Sequence, residues 1–275
     1  MKDQIVSLAI AILLCASFSY SAFHQQILEI SAPKTGTNLA KKCIQLLTNR
    51  KSIHNVPWRN WRGDEHFNKF YTIRTARDLE YMMHLPADKF WRLHLMHNER
   101  YATLFTQNNM TLFFIYRDPR DQIISFVFYY MKINKTTINI NDAITDLITK
   151  GTLYRLRPIA NHNIYQLYQA YLPWMHHPNA LAVRFEDLVG PNGGGPQDAQ
   201  YKTVRAMAQH LQLDLSDKEI ATVADSLFGS TLSHTFRKGQ IGSWKEHFTD
   251  EHKQLFKEIA GQLLIDLGYE SDMNW

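Results

Sequence analysis

The sequence predicts a single α/β domain, a parallel β-sheet flanked by helices on both faces. Three observations carry that expectation. Apolar runs of strand length stand at Ile27–Ile30, Thr111–Tyr116 and Ala180–Phe185. Between and after them come longer segments whose apolar residues recur at helical spacing. No internal repeat and no linker interrupts the 275 residues, and strands alternating with helices join most simply as parallel neighbours with helices on both sides.

The chain begins with Met1-Lys2-Asp3 and an uncharged stretch, Ile5–Ala22, in which Ser19 and Ser21 stand at the −3 and −1 positions of a cleavage site. Residues 1–22 are therefore expected to be a secretory signal peptide or an N-terminal membrane anchor, with the domain running from 27 to 275. The expected location is outside the cytosol, in or beyond the secretory pathway, with a cytoplasmic chain as the alternative. Membrane contact is expected only through this segment.

Ile27–Ile30 is the first strand and ends at Ala32-Pro33, where pairing as a central strand must stop. Lys34, Thr35, Gly36, Thr37 and Asn38 follow, and then a helix over 39–49 with apolar residues at 39, 40, 43, 44, 46 and 47. Strand, tight turn and helix aim backbone N–H groups and a helix dipole at an anion. Taken alone, the turn fits an ordinary βα connection with a surface lysine equally well.

The segment 50–90 is polar, irregular and rich in tryptophan and arginine, and loops and short helices are expected there, either a lid or acceptor-binding region or an aromatic cluster over one sheet edge. Phe90–Met96 alternates, with Arg92 and His94 on one face, and reads as a strand carrying a histidine near its C-terminal end. Thr111–Tyr116 is apolar throughout, as a strand buried on both faces should be. After Arg117, the run Asp118-Pro119-Arg120-Asp121 is a helix start, with a capping aspartate, proline at the first helical position and acid in the first turn. Further helices are expected over 141–150, 161–175, 199–211, 216–228 and 249–267, and a Gly/Pro-rich loop over 190–196.

Thirty Lys and Arg against twenty-six Asp and Glu is a mild basic excess. It suits an anionic small ligand and is too small to argue for nucleic acid. Cys15 and Cys43 form no disulfide framework or CxxC pair, and the thirteen histidines contain no HExxH, so neither zinc nor another metal is expected.

In a parallel sheet, ligands sit beyond the carboxyl ends of the strands. Lys34, His94, Arg117 and Ser125 fall there, and the late segment Arg237-Lys238-Gly239 adds charge. Several cations and a helix N-terminus in one crevice point to a ligand with more than one phosphate, and a single histidine beside them points to proton abstraction. A GxxxxGK[ST] loop is absent.

These motifs resemble those of sulfotransferases that use 3′-phosphoadenosine 5′-phosphosulfate (PAPS), most closely the cytosolic type that sulfates small molecules. PKTGTN is similar to the family's PKSGTT loop, RLHL to its KTHL, and IYRDPRDQIISFVFYY to its 3′-phosphate motif. VRFEDL matches VRYEDL, and FRKGQIGSWKEHFT is close to RKGxxGDWKxxFT. The resemblance spans Pro33 to Thr249 and implies a P-loop-like fold and PAPS as co-substrate, without a metal. It implies catalytic roles for Lys34, on the bridging oxygen, for His94, as general base, and for Ser125. Thr35, Gly36, Thr37 and Asn38 would hold the 5′-phosphate. Arg117, Ser125, Arg237, Lys238 and Gly239 would hold the 3′-phosphate, and Ser226 and Phe228 the adenine. The acceptor would be a small molecule or carbohydrate bearing a hydroxyl or amine.

The chain departs from the family at Leu39, where tryptophan is usual nearby, at Phe185 in place of tyrosine, and at Ser243 in place of aspartate. Of the dimer motif KxxxTVxxxE only Lys245 and Thr249 remain, with Asp250 and Gln254 at the other positions, so dimerisation by that motif is not expected. Two other functions fit the same pattern: an inactive PAPS-fold binding protein, and a kinase on a P-loop-type fold. The missing Walker pair counts against the kinase.

Overall fold

The computed structural model describes residues 26–54, 86–151, 162–229 and 238–275. The expected leader, Trp58, Trp61, most of the segment read as a lid, and Arg237 lie outside the described residues.

Five strands form one sheet: β1 (Ile27–Ser31), β2 (Lys51–His54), β3 (Lys89–Leu93), β4 (Thr111–Tyr116) and β5 (Ala180–Arg184). Their order is β2-β3-β1-β4-β5 and every pairing is parallel. Nine α-helices are described, α1 (Thr37–Thr48), α2 (Glu99–Gln107), α3 (Pro119–Asn134), α4 (Ile140–Lys150), α5 (Ile164–Gln169), α6 (Phe185–Leu188), α7 (Gln197–His210), α8 (Asp217–Asp225) and α9 (Asp250–Asp266).

The period-two alternation of the strands divides their side chains between two cores. Leu28, Ile30, Trp91, Leu112 and Phe114 pack with α3, α4, Trp174 and α9. Ile27, Phe90, Phe113, Ile115 and Val183 face the other way, onto α1, α7 and α8. All five residues of β1 are buried, as a central strand covered on both faces requires. Helices on both faces of one parallel sheet are what the alternation of apolar runs predicts.

Three local expectations change. Lys51–His54 is a parallel edge strand paired only with β3, not a loop. Four mostly polar residues with one hydrogen-bonding neighbour leave little apolar signature. The helix expected over 161–175 is α5 followed by a 3₁₀ turn, Leu172–His176. Pro173 has no N–H to continue the ladder and forces the break. Finally, β3 ends at Leu93, which places His94 just past the strand.

Among the described residues no helix is long and apolar enough to cross a membrane.

Candidate active site

Because β1 lies between β3 and β4, the segments leaving these three strands meet at one edge of the sheet. The loop after β1 begins with two backbone positions in the left-handed region, Lys34 at φ 73° and Gly36 at φ 113°. At Gly36 a side chain is excluded twice: by the backbone, and because a Cβ would stand 2.6 Å from the Phe185 ring. Gly36 precedes the first residue of α1, and no side chain caps that helix. The Gly36 carbonyl accepts from the N–H groups of Leu39 at 2.8 Å and Ala40 at 3.1 Å, so the N–H of Thr37 stands at the positive end of the helix, where an anion is favoured.

Several bonds hold the loop. The Thr35 hydroxyl donates to the carbonyls of Ala32 at 2.8 Å and Ile115 at 3.2 Å. The hydroxyl expected to donate to phosphate is thus engaged with the main chain, joining the loop to the end of β4. Gln122 Nε2 donates to the Pro33 carbonyl at 2.6 Å, and the hydroxyls of Ser31 and Thr37 are 2.9 Å apart. Half-buried Lys34 sets its ammonium 4.0 Å above the Tyr129 ring. Asn38 accepts from Arg92 at 3.4 Å.

His94 is half-buried, and its Nδ1 lies 2.8 Å from the Ser31 carbonyl oxygen. A carbonyl only accepts, so Nδ1 carries the proton and Nε2 is the basic nitrogen. The imidazole is fixed in the tautomer that a general base needs, with its carbonyl partner belonging to the strand that leads into the Lys34 loop.

Arg117 follows β4 and is almost fully buried. Its Nη2 donates to the Gln240 carbonyl at 2.8 Å and lies 3.4 Å from the Asp121 carboxylate, and the guanidinium stacks 4.2 Å from the Phe185 ring. Asp121 also accepts from the backbone N–H groups of Gly242 (2.8 Å) and Trp244 (2.9 Å). Burial pushes the Asp121 carboxyl up, against the opposing pull of Arg117 and these two donors. Asp121 and Ser125 are four apart on α3, one above the other, and Arg117 precedes the helix. Through Asp121 the late loop is tied to α3, which also carries Ser125.

That loop is also held from behind. Ile241 N donates to the Gly193 carbonyl at 3.0 Å, and a Cβ on Gly193 would meet the Gly239 oxygen at 2.7 Å. The Gly/Pro-rich loop is therefore the close-packed bed of the Gly239 segment. Lys238 pairs its ammonium with Glu246 at 2.8 Å in an exposed contact, and Gly239 has φ 65°. On the other flank Ser226 closes α8, its hydroxyl donating to Thr222 O at 2.8 Å, and the neighbouring Leu227 carbonyl accepts from Lys42 of α1. Leu227, between Ser226 and half-buried Phe228, thus ties this segment to α1.

The structure brings Lys34, Gly36, Thr37, Asn38 and His94 together at the end of β1. Arg117 and the Gly239–Gly242 segment meet at the start of α3, and Ser125 lies further along that helix. Sequence reasoning missed Gln122, Asp121 and Phe185 as the residues that position these groups. For Phe185 the signal was present in the VRFEDL motif but was read only as a lost hydroxyl. The donor set fits a nucleotide with separate phosphates: uncapped helix N–H groups stand at one end. At the other, the buried Arg117 Nε has no hydrogen-bond partner, the kind of orphan a bound anion satisfies.

This is a parallel α/β fold with a glycine-led helix N-terminus, a buried arginine and a fixed histidine at one edge of its sheet, an outline that fits a nucleotide-dependent group transferase. The profile of the sulfotransferase domain family matches residues 24–268. The chain therefore belongs to that family, the PAPS-dependent sulfotransferases. It is 23% identical to sulfotransferase 6B1 of Danio rerio over 71% of this chain and 66% of that protein. It is also 23% identical to the 3-alpha-hydroxysteroid sulfotransferase of Cavia porcellus, over 86% and 82%. Among solved structures, mouse sulfotransferase SULT7A1 complexed with PAP superposes with a TM-score of 0.63 at 17% identity, over 96% of this chain and 93% of that one. Retinol dehydratase in complex with androsterone and PAP gives 0.59 at 17%, over 88% and 81%.

Proposed function

We propose that the chain moves the sulfuryl group of PAPS onto a hydroxyl or amine of a small-molecule or carbohydrate acceptor. The observation that carries this reading is the sheet order, which sets the segments after β1, β3 and β4 side by side and so brings Lys34, His94 and Arg117 to one edge. When bound, PAPS supplies an activated sulfuryl group whose departure leaves negative charge on the bridging oxygen. Lys34 and the N-terminus of α1 neutralise that charge. Thr37, Asn38 and the N–H groups around Gly36 hold the 5′-phosphate. Arg117 and Ser125, with the backbone of Lys238 and Gly239 and the side chain of Arg237, hold the 3′-phosphate. Ser226 and Phe228 flank the adenine. His94 Nε2 removes the acceptor proton as the new bond forms. Residues 1–22 direct the chain out of the cytosol, which N-terminal sequencing of the expressed protein checks: a mature chain starting near Ser21 or Ala22 marks cleavage.

The reading is tested by transfer of labelled sulfate from PAPS onto a panel of phenols, alcohols (a 3-hydroxysteroid among them), amines and sugars. In parallel, 3′-phosphoadenosine 5′-phosphate (PAP) at a hundred times its dissociation constant should add about 2.7 kcal/mol of stability and raise the melting temperature. A shift with ATP and none with PAP overturns the proposal. His94→Ala should cut transfer by about a hundred- to ten-thousand-fold while the PAP shift survives; equal loss of both would make His94 structural.

A further inference from the structure

Glu29 is chemically out of place. It stands in the middle of β1, the central strand, fully buried, and neither of its carboxyl oxygens has a partner in hydrogen-bonding geometry. An apolar side chain there would spare the cost of burying an acid. Its polar neighbours are Ser31, two residues along the same strand face, and Arg92, opposite it in the β1–β3 register. The Ser31 hydroxyl bonds that of Thr37, and Arg92 Nη1 donates to Asn38. Both polar neighbours of one buried carboxyl thus end on consecutive residues of the anion cradle.

We propose that Glu29 is a positioning residue of the nucleotide site: through Ser31 and Arg92 it sets Thr37 and Asn38, and its own charge state tunes the affinity of the cradle for the anionic 5′-end of the nucleotide. The inference rests on the reading of that cradle as the 5′-phosphosulfate site.

The surroundings define the sign. Arg92 faces Glu29 from β3, and His94 beyond it bonds the Ser31 carbonyl. From α1 come Lys41, whose ammonium is lowered by burial and by Arg92, Lys42, turned to the Leu227 carbonyl, and the buried Cys43 thiol, pushed up by burial. β4 presents Phe113 in register. Burial pushes the Glu29 carboxyl up to about 8 despite Arg92. At neutral pH the acid keeps its proton and adds no negative charge to the field under the cradle. As pH rises through about 8 the carboxylate forms, offsets Arg92, and nucleotide affinity falls. By reciprocity, bound nucleotide holds the proton on and moves the midpoint upward. The same raised pKa affects the fold. Its contribution to stability is fully present below the ordinary value of 4.5 and is lost as pH rises through about 8.

The experiment is titration calorimetry of PAP against the full chain at about pH 7 and about pH 9, either side of the Glu29 midpoint. For the native protein the dissociation constant should rise between the two by about fivefold to tenfold more than for Glu29→Gln. Parallel pH profiles in the two proteins overturn the inference. Should Glu29→Gln fail to fold, Arg92→Met removes the charge that Glu29 offsets and should shrink the native ratio; an unchanged ratio overturns the inference as well. Absence of PAP binding at either pH removes this inference together with the sulfotransferase reading, whereas binding with parallel profiles removes this inference alone.

Discussion

The two proposed anion sites of the molecule are built from different materials. Apart from the Arg92 bond to Asn38, the cradle after β1 is held by neutral contacts: the Thr35 hydroxyl on two carbonyls, Gln122 on the Pro33 carbonyl, and a glycine whose missing side chain makes room for Phe185. The turn after β4 is held by charge. Arg120, buried between the Trp244 and Trp275 rings, forks onto Asp118 and meets Glu270. Glu186 accepts from the Asp118 N–H and the Tyr269 hydroxyl, and Asp121 joins Arg117 to the late loop. The role proposed for Lys34 thus falls in a scaffold held largely by neutral bonds. In the charged scaffold the fold and the binding site share the same ions.

That contrast breaks most visibly at Asp121. Asp121→Ala leaves Arg117 without its buried carboxylate and two backbone N–H groups without an acceptor. Removing one partner of a buried pair costs about 3–5 kcal/mol, and the Gly242–Trp244 segment loses its tie to α3. Denaturant unfolding should show this loss, and PAP binding should weaken with it. A stability change near zero would mean the charged turn is not a structural unit.

Lys34→Ala is the counterpart on the neutral side. Transfer should fall by about a hundred- to a thousand-fold, the usual effect of losing one group that stabilises transition-state charge. The unfolding free energy should fall by about 1 kcal/mol, the usual size for a single substitution, less than for Asp121→Ala, as half-buried Lys34 gives up its place over the Tyr129 ring. A large drop in stability would erase the distinction between the two sites.

The same division explains what could be read from the sequence. β4 was legible because a strand buried on both faces is apolar along nearly its whole length, β1 because three of its five residues are isoleucine or leucine, and the start of α3 because Asp118 and Pro119 are local signals. Asp121 was legible only as first-turn acid: its acceptor role depends on Gly242 and Trp244, more than a hundred residues away, which no periodicity reports. Thr35 was read as a phosphate donor from its place in the motif. Its hydroxyl is instead directed at Ala32 and at Ile115 on another strand, and that contact exists only once the sheet order is known. Glu29 carries no motif at all, and within the apolar run Ile27–Ile30 it reads as an ordinary interruption of a strand. Type and spacing single out the residues proposed to touch ligand, whereas those that hold them are visible only in the packing.

Thr35 offers the finest test of the comparison because its two possible roles predict different readouts. Thr35→Val keeps the shape and removes the hydroxyl, leaving the Ala32 and Ile115 carbonyls each one donor short in a buried site. For a neutral loop pin the cost should be about 1 kcal/mol of stability. The PAP dissociation constant should rise by less than about threefold, since each factor of ten would need about 1.4 kcal/mol of lost contact with the ligand. If the hydroxyl instead leaves the carbonyls to donate to phosphate, the order reverses. Nucleotide affinity then falls by tenfold or so, a charge-assisted bond being stronger than a neutral one, while the unliganded protein unfolds nearly as before. Unfolding and PAP titration on this one variant therefore decide whether the cradle is built before the nucleotide arrives or assembled around it.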